Sequence, residues 1–143
     1  MAAAAQTASF KALGVVHSSN PQNCSYAVSA DGSTVLGTVL DAENEYRAQR
    51  WQNDATSILP ISSQPDRQYR ALAMSADTST VVGFVTSAAG VEAFLFKDDH
   101  VTYLGGLDAD SKNVYSLATA VSNDGSVTVG NYLSSERSGV IHA

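Results

Sequence analysis

Three aspartates recur at one position of a repeated Ser-x-Asp-(Gly/Thr)-Ser pattern, and carboxylates are side chains that can hold a cation or carry out acid–base chemistry. They are Asp31, Asp77 and Asp124. Calcium requires about six to eight oxygen ligands at one point, whereas each aspartate belongs to a different copy of the pattern. A turn aspartate instead accepts hydrogen bonds from nearby backbone amides. We therefore predict that the three carboxylates stabilise turns, and that the chain has no metal site and no cofactor.

The other side chains with catalytic potential are histidines, a cysteine and arginines. His17, His100 and His142 do not lie near a Gly-x-Ser-x-Gly elbow, and Cys24 has no catalytic signature around it. The aspartate pattern is similar to the hairpins of sialidase propellers, but those hairpins lie away from the active site, and a sialidase needs an arginine cluster. The arginines of this chain fall at dissimilar positions of the repeat: Arg47, Arg50, Arg67, Arg70 and Arg137. The sequence predicts no catalytic residue and a protein that is not an enzyme.

The aspartates belong to a segment that occurs three times, at residues 27–37, 73–83 and 120–130, each ending on a glycine eight residues after its serine. A leucine precedes each copy in the same phase. Repetition of a segment at a nearly constant interval indicates units that bury their apolar sides by stacking on a neighbour. We predict one repeat domain over residues 10–143, preceded by residues 1–9, which are disordered or introduced by cloning. The units of that domain are at about 13–58, 59–103 and 104–143.

Each unit is expected to form four short antiparallel strands. In the middle unit they are residues 71–75, 80–85, 91–97 and 101–104, and no convincing amphipathic helix occurs in the chain. Short strands separated by turn signals indicate an all-β protein. The same pattern predicts a strand at 46–51 in the first unit.

Glycines mark two places in the hairpins of the repeat. Asp31-Gly32 and Asp124-Gly125 predict two-residue turns, because glycine tolerates the positive φ that such turns require. Thr78 holds the equivalent place in the middle unit, so that turn must be adjusted or strained. A glycine near the end of the second strand predicts a bulge or a close backbone approach. These glycines are Gly37, Gly83 and Gly130.

The size of the unit predicts the architecture. Four strands in about 46 residues match one propeller blade, whereas a β-helix rung is roughly half as long. The predicted fold is therefore all-β and propeller-like, with three four-stranded antiparallel blades. Three blades do not close a ring, since propellers have about four to eight, so we expect either a homodimer that forms a six-bladed ring or a longer array. The last strand of a blade at 10–16 and a third strand stopping at Ala143 would together complete one blade.

Composition and charge limit the partners. The chain has 143 residues, a net charge of −6 and eight scattered Lys and Arg residues. These numbers predict that nucleic acid is not a partner, because binding phosphates requires clustered cations. The sequence has no apolar run of about 18 residues that would span a membrane. Met1 to Ser9 lacks the features of a signal peptide, and a single cysteine excludes an internal disulfide.

The repeat resembles the bacterial HAF-type extracellular repeat family. That pattern has a Ser-x-Asp-Gly-Ser-x-Val-Val-Gly hairpin, a His-Ala-Phe-x-Trp strand and a Leu-Gly-x-Leu-Gly-Gly segment. Here the hairpin occurs three times, with Thr78 in place of one glycine, and the third copy alone has the histidine, His142. The strand is matched by residues 48–51, 93–96 and 140–143, and the last segment by 103–107. The resemblance implies a secreted or bacterial cell-surface location, as in autotransporter passenger regions, and it implies no catalytic residue.

Three functions of different classes remain open. The first is a non-catalytic extracellular or cell-surface repeat module with a structural or protein-interaction role, which associates with itself, with neighbouring repeats of a longer chain, or with a host or surface protein or glycan. The second is a lectin-like propeller. Trp51, Phe94 and Phe96 are predicted to be core residues, and no tyrosine recurs in phase in all three copies, which disfavours a repeated sugar site. The third is a hydrolase whose site is built from several blades.

Overall fold

The structure is a computed structural model that describes residues 12–13, 23–61, 66–105, 114–133 and 141–142. The described residues form strands and turns and contain no helix, which confirms the predicted all-β class. The predicted terminus at 1–9, most of the strand predicted at 10–16, and Ala143 lie outside them. The strands are β1 Asn23–Val28, β2 Thr34–Leu40, β3 Tyr46–Gln52, β4 Ala55–Ile58, β5 Gln68–Met74, β6 Thr80–Ser87, β7 Gly90–Lys97, β8 His100–Tyr103, β9 Val114–Val121, β10 Thr128–Leu133 and β11 Ile141–His142.

The strands fall into three units with the same order. Unit one is an antiparallel sheet of β1, β2, β3 and β4, and unit two repeats that order with β5, β6, β7 and β8. Unit three consists of β9, β10 and β11. The four strands predicted for the middle unit and the strand at 46–51 are confirmed to within a few residues.

Units two and three join into one seven-stranded sheet, which the sequence did not indicate. Its order is β11-β10-β9-β7-β6-β5, with β8 also pairing β7. The join is parallel, with Gly90 opposite Val114 and Val91 opposite Tyr115. It arises because β8 pairs with residues 94–97 of β7 and leaves the first half of that edge open. The described residues form neither a closed barrel nor a closed propeller ring, and the propeller stays a prediction.

Each unit has the same bulge in its first hairpin. The register shifts by one residue opposite the glycine near the centre of the second strand, so that Tyr26, Leu72 and Thr119 are the extra residues. A Cβ atom on Gly83 would overlap the carbonyl oxygen of Arg70, and Gly37 and Gly130 are in the same position. The predicted bulge and close backbone approach are therefore confirmed, because the bulge drives a carbonyl into the space of a side chain.

The units are held together by apolar faces that stack. Val81, Val85, Phe94 and Phe96 of unit two pack with Leu36 and other apolar residues of unit one. Val82 and Ala93 lie on the other face of unit two, where they pack with Ala118 of unit three. Since strand side chains alternate between faces, unit two contributes to two apolar cores. The predicted burial of Trp51, Phe94 and Phe96 is confirmed.

Candidate interaction surfaces

The loop between β1 and β2 shows what the repeated aspartate does. The backbone N–H of Ser29 donates to the carbonyl of Thr34 (2.8 Å), and the N–H of Gly32 donates to the carbonyl of Ser29 (3.0 Å). The loop therefore has four residues, and Gly32 alone has a positive φ, of 73°. The predicted two-residue turn at Asp31-Gly32 is wrong, because that turn requires positive φ at both central residues.

Two-residue turns of that kind occur in the last hairpin of units one and two. Asn53 and Asp54 connect β3 to β4 with φ values of 51° and 64°, and Asp98 and Asp99 connect β7 to β8 with 50° and 59°. Asparagine and aspartate tolerate this left-handed conformation better than most residues. The tips of these two hairpins are thus formed by short polar residues rather than by glycine.

The carboxylate of Asp31 organises its loop through one oxygen. Its Oδ1 atom accepts hydrogen bonds from the Ser29 hydroxyl (2.6 Å), the Ser33 amide (3.0 Å) and the Ser33 hydroxyl (2.9 Å). The Ser29 hydroxyl in turn accepts a bond from the Thr34 amide (2.9 Å). Each of the repeated residues Ser29, Asp31, Gly32 and Ser33 therefore has a hydrogen-bonding role in this loop, so the pattern is explained without a ligand.

The same network recurs in the other two units. Asp77 accepts from Ser75 and Ser79, and Asp124 accepts from Ser122 and Ser126, each serine hydroxyl lying 2.6–2.9 Å away. Thr78 has a φ of 64°, so a β-branched residue holds the place of glycine in the strained conformation. The predicted turn role of the three aspartates is confirmed, and so is the predicted strain at Thr78.

These networks lower the pKa of each carboxyl. The hydroxyl of Ser29, followed by the amide and hydroxyl of Ser33, lowers the pKa of Asp31 from 3.8 to about 2, and equivalent donors do the same to Asp77 and Asp124. A group whose pKa is lower in the folded state stabilises the fold above its unfolded pKa and loses that effect as the pH falls through the folded value. We therefore expect stability to fall between pH 4 and pH 2, measured as the urea midpoint at a series of pH values.

A triple variant provides the control for this pH dependence. In Asp31→Asn, Asp77→Asn and Asp124→Asn together, each amide oxygen still accepts hydrogen bonds but no longer titrates. Most of the fall in stability between pH 4 and pH 2 should disappear. A small part of it should remain, because Asp41 keeps its ion pair with Arg47 (Nε to Oδ2 2.9 Å). An unchanged fall in the variant would contradict a role for the loop carboxylates.

The loops of units two and three stack directly on each other. The backbone N–H of Ala76 donates to the carbonyl of Asn123 (3.0 Å). A Cβ atom on Gly125 would overlap the Thr80 hydroxyl and would lie 3.1 Å from the Thr80 Cβ. Glycine at this place therefore allows the loop of unit three to cover Thr80, which is fully buried.

The outer faces of units one and three carry apolar side chains. Val28, Val127 and Val129 are 62%, 57% and 56% exposed, the highest values among the large hydrophobic residues of the described chain. On unit one, Val28 pairs with Val35, which points away from Leu36 and hence away from unit two. On unit three, Val129 neighbours Gly130, which pairs with the inward-facing Ala118. We call the surface formed by Val28 and Val35 the unit-one outer face. The surface formed by Val127 and Val129 is the unit-three outer face.

Two grooves occupy equivalent positions in units one and two. The first, of about 430 Å³, is lined by Gly32, Val35, Trp51 and Asp54 together with Leu13. The second, of about 330 Å³, is lined by the equivalent residues of unit two and by residues of unit one that include Leu59 and Arg50. The aromatic residues at their floors, Trp51 and Phe96, are buried, so each groove exposes little ring area.

The other residues considered from the sequence are dispersed. His100 is exposed and its Nδ1 lies 2.6 Å from the carbonyl oxygen of Asp98, Cys24 is an exposed free thiol, and His17 and the side chain of His142 lie outside the description. Arg70 lies over the Tyr46 ring at 3.8 Å and Arg67 over the Tyr103 ring at 4.8 Å. Arg67 and Arg70 thus contact different rings, Arg47 pairs with Asp41 and Glu45 instead, and Arg137 is outside the described residues.

The described residues were also compared with the requirements for a metal site and for a membrane-spanning helix. Among the described residues, no three His, Cys, Asp or Glu side chains lie close enough together to hold a metal ion. The described segments contain no helix that is long and apolar enough to cross a membrane.

A comparison with known protein families finds no family model that matches the chain, and a comparison with curated proteins finds no match either.

Proposed function

We propose that the chain is a non-catalytic repeat module of a secreted or bacterial cell-surface protein, with a structural or protein-interaction role. The observation that carries this proposal is the threefold serine–aspartate network. The side chains that recur most strictly in the sequence, Ser29, Asp31 and Ser33 with their equivalents, bond to one another within each loop. The shape of the hairpins therefore accounts for the recurrence of these residues.

Two further features support an interaction role. The units stack through apolar faces, and the outer faces still present exposed valines, which is where binding surfaces are expected. The resemblance of the repeat to the bacterial HAF-type extracellular family supports the location. An extracellular location is also compatible with the low fraction of charged residues, 15%, and with the net charge of −6.

The location is tested by fractionating the organism that encodes the chain and labelling intact cells with an antibody against it. We expect the protein in the surface or secreted fraction, accessible to added protease. Recovery from the cytosol alone, with no labelling of intact cells, would contradict the proposal.

A lectin-like role is the second candidate, and the repetition of the groove in units one and two favours it. Sugar binding at these grooves would have a stoichiometry of about two per chain, because both contain an equivalent carboxylate, Asp54 or Asp99. Burial of Trp51 and Phe96 leaves little ring area on which a sugar could stack, and this ranks the lectin role second. A negative result on a broad glycan array would end it.

A further inference from the structure

The contact between units two and three provides a template for how one repeat covers the next. Thr80 and Val82 of unit two are both 0% exposed. Gly125 of unit three covers Thr80, and Val82 packs in one cluster with Val121 of unit three. One face of a unit is thus covered by the opposite face of the unit that follows.

The unit-three outer face is the counterpart of the face that unit two buries. Counting from the repeated serine, Val127 is equivalent to Thr80, and Val129 is equivalent to Val82. Their equivalents in unit one, Thr34 and Leu36, are also fully buried. These two positions of the repeat are therefore buried in units one and two, each of which is followed by another unit, and exposed in unit three.

The unit-one outer face is open in the complementary way. Val28 is equivalent to Val121 and to Met74, which is 9% exposed in the cluster shared with unit one. Gly32 is equivalent to Gly125, but a Cβ atom at Gly32 would have no neighbour within 4 Å. The glycine that covers a side chain in unit three covers none among the described residues here.

We propose that the unit-three outer face binds the unit-one outer face of a second copy of this chain. Val127 then lies under Gly32 as Thr80 lies under Gly125, and Val129 packs on Val28 as Val82 packs with Val121. The occupant is a second copy because the open residues on one face match the open residues on the other, position by position. None of the four residues is charged, which favours contact between two chains that each carry a net charge of −6.

Such a contact joins different faces and is therefore heterologous. A heterologous contact closes into a ring if its rotation allows and otherwise continues as an open assembly. Each copy contributes three units, so closure after two copies would give six units around one axis. This inference does not depend on the proposed location or on glycan binding.

The test is sedimentation equilibrium of the purified full chain and of two charge variants. Wild type should sediment at twice the 14.9 kDa of one chain. Val28→Glu and Val129→Glu should each weaken association by about 100-fold or more, because each would bury an unpaired carboxylate. Thr102→Glu, at an exposed position in the middle unit, adds the same charge and should leave the mass unchanged. Unchanged circular dichroism spectra would show that the variants fold, as expected for exposed positions.

A mixing experiment identifies the pairing. Each variant alone should associate only weakly, but an equimolar mixture of Val28→Glu and Val129→Glu regains one intact contact between Val28 of one chain and Val129 of the other. Dimer in the mixture is therefore expected, and larger assemblies of wild type that both variants abolish would equally support the contact. A monomeric wild type would overturn the proposal and assign both faces to a different partner. So would a dimer that Val129→Glu disrupts and Val28→Glu does not, because the third units would then pair with each other.

Discussion

Phe94→Ala is expected to lower the free energy of unfolding by about 3–5 kcal/mol, the range for truncating a buried aromatic side chain. Phe94 is fully buried in the core that units one and two share. Its ring meets Tyr69 edge-on with centroids 5.5 Å apart, so truncation would leave a cavity beside that ring. Urea denaturation followed by tryptophan fluorescence measures the effect, because Trp51 is the single tryptophan and lies in unit one. A shift in its transition therefore reports coupling between the units.

The matched control is Phe84→Ala. Phe84 is partly buried on the opposite face of unit two, where its ring also lies 5.9 Å from the Arg70 guanidinium. Truncation there should cost about 1–2 kcal/mol, because less apolar area is returned to water. Equal losses in the two variants, or a Trp51 transition that Phe94→Ala leaves unchanged, would contradict stacking of unit two on unit one.

Gly83→Ala is expected to cost about 3 kcal/mol, at the upper end for overpacking a well-filled site. The added methyl group would overlap the carbonyl oxygen of Arg70 and would lie 3.0 Å from the Cα of Ala71. Both neighbours belong to the backbone of the bulge, so relief requires the bulge itself to move. Thermal and urea unfolding of the purified variant measure the loss.

Gly32→Ala separates this steric effect from backbone strain. The Gly32 site has space for a methyl group, but its φ of 73° disfavours a side chain, at a cost of about 1 kcal/mol. Gly83 is not among the glycines with positive φ, so the cost of its substitution is steric. A Gly83→Ala variant as stable as Gly32→Ala would show that the bulge is not a rigid feature.

The local structure of each unit could be predicted from the residues. Serine, aspartate and glycine at set intervals predicted the hairpins, and short segments between turn signals predicted the strands, since both depend on groups a few residues apart. The bulge opposite Gly83 was predictable for the same reason: a glycine inside a strand indicates a backbone that approaches closely. Even here the predicted turn type was wrong, because the Asp31 carboxylate accepts hydrogen bonds from Ser29 and Ser33 and so stabilises a four-residue loop.

Chemistry at individual positions was harder to predict where one residue departs from the repeat. Gln49 holds the place of Phe94 in unit one, is fully buried, and its amide atoms have no hydrogen-bond partner among the described residues. No pattern in the sequence indicates whether that amide meets solvent or protein. The Arg70 contact with the Tyr46 ring likewise joins residues of different units.

Relations between units needed the folded chain. Residues 90–91 pair with 114–115 because β8 covers part of the β7 edge, and this depends on where strands end in space. Burial of Thr80 and exposure of Val127, at the same position of the repeat, follow from which unit has a neighbour on that side. The repeat period and the turn residues therefore establish what each unit is, through interactions over a few residues. How the units join, and which faces stay open, depends on contacts between residues that are distant in the chain.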